Sequence, residues 1–423
     1  MKTRLEESSV AYNLSDGAKR VVADLRELAE LTSDEKGAQR VAWTPTWQKA
    51  RDWFAVKARE AGAEMSVDAA GNTWAKIAGI SPRALVVGSH LDCVPNGGWL
   101  DGCLGVLAAL EVLRRYGKGV PPKKTIYLVD WADEEGARFG RSLMGSSAAC
   151  GTMNTADIVG LVDNNGVKLT EALARHNVNV GNMLGAFKQF KEKKIEAYME
   201  LHIEQGPVLE SMKKAVACVY GITGVERHYI IFKGQAAHAG SFPTLMRQDA
   251  FLAAAQAVLA FREIALKYDG VCTVGKVSVK PDVVTIVPET CVISLDQRSI
   301  NAEVLRKMND DARAAAAKAA SDHGVKVTWE KIWTIDPTIF NAHLTELCKQ
   351  AVAEETGEAT TIFSGPLHDA AEMAKQVPSI MMFAMSERGL SHTNQENTPD
   401  DALETAVRAF LRLVDKVMDS IAL

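Results

Sequence analysis

The 423-residue sequence contains no run of about 18 apolar residues, no block of Lys and Arg, no Pro-rich linker, no low-complexity tract and no Cys-x-x-Cys pair. Each absence removes a class of protein. Without a long apolar run no transmembrane helix is expected. The stretch Met1 to Asp16 carries charges at Lys2, Arg4, Glu6 and Glu7 with no apolar segment behind them, unlike a secretory signal. A formal net charge of -5 without a basic cluster predicts neither a nucleic-acid footprint nor a membrane-surface patch, which favours small substrates over polyanions. Seven cysteines, an odd number, predict free thiols in a reducing compartment rather than a disulfide framework, so a cytoplasmic protein is expected.

What is present suffices for two cores. Hydrophobic residues make up 47% of the chain, and its 423 residues exceed the roughly 300 that one core usually sustains. Gly17 to Thr32 and Trp47 to Ala61 have helical apolar spacing, with Val22, Leu25, Leu28 and Leu31 on one stripe. Short buried strands are predicted at Thr73 to Ile77, Ala84 to Val87, Thr125 to Val129 and Ala197 to Leu201, with a helix over Asp101 to Arg115. Three of these apolar approaches end at His90, at Asp130 to Glu135 and at His202. Ligands in α/β sheets sit at such strand ends.

From about Ala215 to Glu330 the pattern changes to an alternating strand (Arg227 to Phe232), an Ala-rich helix (Asp249 to Tyr268), a strand (Val284 to Ser294) and a helix (Asn301 to His323). This predicts an α/β sandwich over 215–330, inserted into a first domain formed by 1–214 and 331–423. The returning segment has a helix (Asn341 to Glu355), a strand (Ser379 to Met385), Ser391-His392 and a final amphipathic helix from Asp401.

Five short segments carry the chemistry: His90-Leu91-Asp92, Asp101-Gly102, Asp133-Glu134-Glu135-Gly136, His202-Ile203-Glu204-Gln205-Gly206 and Ser391-His392. Divalent ions such as Zn²⁺ take imidazole nitrogen and carboxylate oxygen, and a pair of ions needs one bridging group plus terminal ligands for each. Three histidines and two carboxylates meet that demand. Residues two apart on an extended chain face the same side, so the Asp92 carboxylate is expected to accept the second imidazole N–H of His90 and fix its orientation. Adjacent Glu134 and Glu135 point apart, so one can bind metal while the other faces substrate as a base; we assign Glu135 to metal and Glu134 to proton transfer. His176, His228, His323 and His343 stand in no such frame.

These segments, with Gly88 to Gly98, Ala237-His238-Ala239-Gly240 and His368-Asp369-Ala370, resemble the N-carbamoyl-L-amino acid amidohydrolases and the related β-ureidopropionases and allantoate amidohydrolases. These form the carbamoylase branch of the dinuclear metallo-exopeptidases, and the resemblance runs from about Val67 to Thr398. It implies a mixed-sheet α/β catalytic domain with an inserted two-layer lid and dimerisation domain. By the same resemblance Asp101 bridges two metal ions, His90 and His202 complete one, and Glu135 and His392 the other. Glu134 is then the general base, and His238 reaches the neighbouring subunit's site in a homodimer. Arg298 and Gln205 contact substrate. The ions implied are Zn²⁺, with Mn²⁺, Co²⁺ or Ni²⁺ as alternatives.

The expected reaction is hydrolysis of the linear C–N amide bond of an N-carbamoyl-L-amino acid or related ureido acid, releasing amino acid, CO₂ and ammonia. An N-acyl amino acid or dipeptide hydrolase using the same ions is the alternative, and a non-catalytic amino-acid binder a more distant one. This chain departs from the family pattern at three places. Thr285 stands where an Asn is usual, Pro366-Leu367 replaces small residues before His368, and Thr393 to Glu396 lacks a proline common there. Thr285 and Leu367 therefore bear on the substrate pocket.

Overall fold

The structure, a computed structural model, describes residues 12–420; the charged segment Lys2 to Glu7 lies outside the described residues. Two compact units emerge. Of the described residues, the first holds 12–220, 340–362 and 367–420, and the second 221–339 with 363–366. The second therefore begins six residues later than the sequence predicts and runs on to Ile339.

In the first unit seven strands lie side by side in the order Val216–Ile222, Ser379–Ala384, Ile195–Ile203, Ser81–His90, Lys124–Trp131, Thr73–Ile77 and Glu64–Val67. The middle four are mutually parallel and the flanking ones antiparallel. The parallel strands are apolar because both faces are covered: every residue from Ala84 to His90, from Ala197 to Ile203 and from Ser379 to Ala384 is buried. One covering helix, Cys103–Tyr116, is buried continuously from Cys103 to Val112. It comes so close that a Cβ on Gly105 would stand 2.3 Å from the Leu201 carbonyl. Register pairs His90 with Trp131 and His202 with Phe383, so the carboxyl ends of these strands are level. A polar residue placed just past each end must then meet the others.

One buried ion pair anchors that edge. Arg51, 7% exposed, lies 2.9 Å from Asp130 at the end of its strand, although its N–H is not aligned for a hydrogen bond. The other Asp130 oxygen accepts the Leu91 amide at 2.9 Å, next to His90. Trp47 lies 4.3 Å beneath the guanidinium, and Arg51 also donates to the Gly71 carbonyl.

The second unit is a two-layer α/β sandwich. Its antiparallel strands run in the order Val271–Thr273, Thr290–Ser299, Gly224–Lys233 and Lys326–Ile335, with Val277–Lys280 also on Thr290–Ser299. The helices Ala250–Tyr268 and Ala302–Asp322 pack through Ala253, Ala257, Ala312, Ala316 and Ala319 against Phe232, Ile293 and Leu295. Small alanines let the helices approach closely at little side-chain entropy cost. The strand expected over Val284 to Ser294 begins only at Thr290. Pro288 has no N–H for a ladder, and 282–285 is an exposed loop instead.

Removing Arg51 should leave Asp130 buried and unpaired. Burial already pushes its carboxyl up to about 6, with Arg51 opposing the shift. A carboxyl raised above its unfolded value favours folding at low pH and loses that contribution as pH rises through the folded pKa. Arg51→Met should therefore cost about 3–5 kcal/mol at pH 8 and clearly less at pH 5. Urea unfolding at the two pH values measures this; equal losses would rule out the charge argument.

Candidate metal centre and active site

The turns beyond the parallel strand ends bring the ligand candidates together. Asp101 precedes Gly102, whose φ of +67° caps the helix Cys103–Tyr116. A Cβ on Gly102 would lie 2.5 Å from the His90 ring, so only glycine lets this loop close against that histidine. The two Asp101 oxygens then face different partners. Oδ1 is 3.2 Å from His202 Nε2 and 3.9 Å from His90 Nε2, while Oδ2 is 3.1 Å from His392 Nε2. Glu135 Oε2 stands 3.5 Å from the same His392 nitrogen. The result is two triplets, His90/Asp101/His202 and Asp101/Glu135/His392, each with ligand atoms within 4.8 Å of one another.

Main-chain carbonyls orient two of the imidazoles. His90 Nδ1 is 3.1 Å from the Asp92 carbonyl and His202 Nδ1 is 2.9 Å from the Ile203 carbonyl, which directs both Nε2 atoms at Asp101. The sequence predicts the Asp92 carboxylate for the first of these contacts, but it lies farther off, at 3.6 Å. It accepts the amides of Glu134 and Glu135 instead, at 3.2 and 3.1 Å, and so fixes the segment that carries both acids. The separation of Glu134 from Glu135 begins at Asp133. Its φ of +59° is uncommon for a residue with a Cβ, and the Trp43 indole holds it at 2.6 Å. Glu134 Oε2 ends 3.8 Å from His90 Nε2.

Charge in this site is concentrated and poorly hydrated. Burial, with Asp369 and Glu135 close by, pushes the Glu134 carboxyl well above the usual carboxylate range. Burial and Asp101 do the same to Glu135. Burial pushes Asp101 up too, but its close contacts with the His202 and His392 imidazoles outweigh it and hold this carboxyl well below. Burial pulls His90 down to about 4, so its imidazole is neutral. His202 Nε2 and Glu135 Oε1 are buried with no hydrogen-bond partner. Orphaned donors and acceptors of this kind, in an imidazole and carboxylate set, fit divalent cations.

Gln205, with φ +58°, donates from Nε2 to Asp101 Oδ2 at 3.0 Å and lies 3.3 Å from His392 Nε2. His368 is buried with its ring 4.4 Å from that of His202 and its Nε2 unpartnered; with Glu200 and His202 it makes a third triplet, which shares His202 with the first. Leu367 beside it is half-buried. Sequence inspection passes over two acids. Glu200 accepts Ser89 Oγ at 2.7 Å and Tyr198 Oη at 2.9 Å. An acid two residues ahead of His202 in an apolar strand, hence on the same face, is a signal that was there to be used. Glu396 has no such mark.

The remaining residues that the sequence predicts to meet substrate lie in the second unit. His238 is exposed, and its Nδ1 accepts the amides of Gly240 and Ser241 at 3.1 and 3.2 Å, which leaves the proton on Nε2. The Thr285 carbonyl accepts the Ala239 amide at 2.9 Å, which sets Thr285 beside the His238 loop. Arg298 is bound to Asp296 at 2.9 Å and to the Gly365 carbonyl at 2.8 Å.

The chain is 34% identical over 383 residues to an N-carbamoyl-L-amino acid amidohydrolase from Geobacillus stearothermophilus, covering 89% of this chain and 93% of the relative. It is 30% identical over 393 residues to an allantoate amidohydrolase from Bacillus subtilis, covering 91% and 94%. A crystal structure of a hydantoinase/carbamoylase family amidase from Burkholderia multivorans superposes with a TM-score of 0.87 at 31% identity, covering 96% and 98%. The profile of peptidase family M20/M25/M40, a family of dinuclear metallopeptidases, matches residues 86–416. The chain belongs to that family, among its metal-dependent amidohydrolases.

Proposed function

We propose that this protein hydrolyses the ureido bond of an N-carbamoyl-L-amino acid or a close ureido acid, releasing amino acid, CO₂ and ammonia. The observation that carries the reading is Asp101, with one oxygen toward His202 and His90 and the other toward His392 and Glu135, on a chain similar to carbamoyl and allantoate amidohydrolases. On this reading His90 and His202 hold one divalent ion and Glu135 and His392 the second, with Asp101 between them. Zn²⁺ is the proposed ion, and Mn²⁺, Co²⁺ or Ni²⁺ suit the same donors. Such ions supply Lewis acidity, which makes water nucleophilic near neutral pH and draws charge from the substrate carbonyl.

The chain's own groups do the rest. Glu134 takes the proton of the attacking water at a carboxylate oxygen and returns it to the leaving nitrogen. His238 offers its Nε2–H to the oxygen that becomes negative, a donor set in place before the charge develops. Arg298 receives the substrate carboxylate with the part of its fork that Asp296 and Gly365 leave open, Gln205 contacts substrate beside Asp101, and Thr285 and Leu367 shape the pocket. The second unit, 215–330 in the sequence reading, acts as lid and dimerisation domain.

The homodimer has its own support. Leu252, Leu259 and Leu266 recur every seven residues along Ala250–Tyr268 and are 48%, 70% and 62% exposed. An apolar stripe of that period on a soluble helix calls for a partner surface. The proposed location is the cytoplasm; among the described residues no helix is long and apolar enough to cross a membrane, and all seven cysteines are free.

Ammonia release from a panel of N-carbamoyl, N-acetyl and dipeptide substrates tests the reaction on enzyme stripped of ions and reloaded. N-carbamoyl-L-amino acids should be turned over with ammonia. Cleavage of acyl substrates alone would replace this reading by the acylase one, and binding without turnover anywhere would make the protein a binder. Glu134→Gln should lower kcat by about 10²–10⁴-fold while metal content by elemental analysis stays unchanged; full activity would exclude Glu134 as the base. Leu252→Glu/Leu259→Glu should run at monomer mass in light scattering and lose turnover in step. An active monomer would remove His238 from the neighbouring site.

A further inference from the structure

Glu396 lies four residues past His392 and is only 2% exposed, yet it is neither a ligand candidate nor part of the proton path. Its carboxylate gathers donors from two loops that are far apart in sequence. Oε1 accepts the amides of Leu100 at 2.9 Å and Asp101 at 3.0 Å, across 295 residues in the second case. Oε2 accepts Ser391 Oγ at 2.7 Å, from the residue next to His392. The loop of Asp101 and the loop of His392 are thus tied through one carboxyl group.

The surroundings are built around that group. A Cβ on Gly98 would fall 2.0 Å from Glu396 Cδ and Oε1, so the chain stays bare at Gly98 to admit the carboxylate. On the other side fully buried Arg40 donates to the Leu91 carbonyl at 3.0 Å and the Gly98 carbonyl at 3.3 Å, which holds the His90 and Asp101 segments in one frame. The loop bearing Glu396 is closed by Glu387 N to the Asn397 carbonyl at 2.8 Å and Thr398 Oγ1 to the Met385 carbonyl at 2.7 Å. His392 itself has φ +57°, a conformation that a residue with a Cβ holds only when its surroundings impose it. His392 is also the most exposed of the ligand candidates, with 49% of its side chain accessible against 1 to 7% for the other four. It is therefore the ligand most in need of a tether.

We propose that Glu396 is a positioning residue that sets His392 against Asp101, and so governs affinity for the second ion specifically. The proposal rests on the two-ion reading above. His90 and His202 stand on strand ends buried in the sheet and do not need this tether, so the first triplet takes only Asp101 from a loop, whereas the Asp101/Glu135/His392 triplet takes all three members from loops. Partners behind a ligand typically change metal affinity by about 10–100-fold when removed.

Cobalt titration of the stripped full-length protein, followed by calorimetry and by the visible absorption of the bound ion, separates the two steps. Wild type and Glu134→Gln should each take two ions; if wild type takes only one or none, the two-ion reading itself falls. Given two, Glu396→Gln should bind the first ion with wild-type affinity and the second at least about 10-fold more weakly. Equal weakening of both steps, the mark of a merely structural role, would overturn the proposal, as would wild-type affinity at both. Should Glu396→Gln fail to fold, Ser391→Ala, which removes a single donor to Glu396, carries the test. It should weaken the second step alone by several-fold, and unchanged binding there would equally overturn the proposal.

Discussion

The two oxygens of the Asp101 carboxylate face opposite ways, one toward His202 and His90 and the other toward His392. Everything else in the first unit is arranged so that this can happen. Imidazoles and carboxylates from four segments are taken out of water here, with the half-exposed His392 beside them, and like charges so placed raise one another's pKa unless cationic charge joins them. Burial first and that repulsion second raise Glu134 and Glu135, while the close His202 and His392 imidazoles hold Asp101 down. A site of this kind is costly to the apo fold and favourable to a divalent cation. Metal affinity and strain in the metal-free fold are then two sides of one energy.

The burden is carried by a sheet whose parallel strands end level. Levelness comes from the register of His90 on Trp131 and His202 on Phe383, and the buried Arg51–Asp130 pair holds one end of it. The sheet supplies two ligand candidates on rigid strand ends, and loops supply the others. Main-chain contacts finish the placement: the Asp92 carboxylate on the amides of Glu134 and Glu135, and Glu396 on the amides of Leu100 and Asp101. Three residues of the site, Asp133, Gln205 and His392, adopt positive φ without being glycine, as is common where function rather than local preference sets the backbone.

The second unit answers a different need. Its alternating strands and Ala-rich helices make a thin two-layer core, and its exposed leucines and the outward Nε2–H of His238 are surfaces rather than supports. Thr285 was expected on a strand and stands on an exposed loop, because Pro288 delays the ladder until Thr290. The loop puts Thr285 against the Ala239 amide, next to His238, a contact that periodicity along the chain does not reveal.

Motif frames added Asp101 and His392; composition and periodicity determined the α/β class, the inserted sandwich and the strand-end candidates His90, Glu135 and His202. These are legible because an apolar run that stops at a histidine or an acid records both the strand and the residue at its exit. Motif frames carried the likeness to amidohydrolases for the same reason, since each frame is a short local turn. Only the tertiary structure decided which Asp101 oxygen meets which histidine, that the Asp92 carboxylate serves two amides more than one imidazole, and that Glu396 joins loops 295 residues apart. Those are contacts between distant segments, set by strand register and by the space that Gly98 and Gly102 leave open, and no local pattern in the chain encodes them.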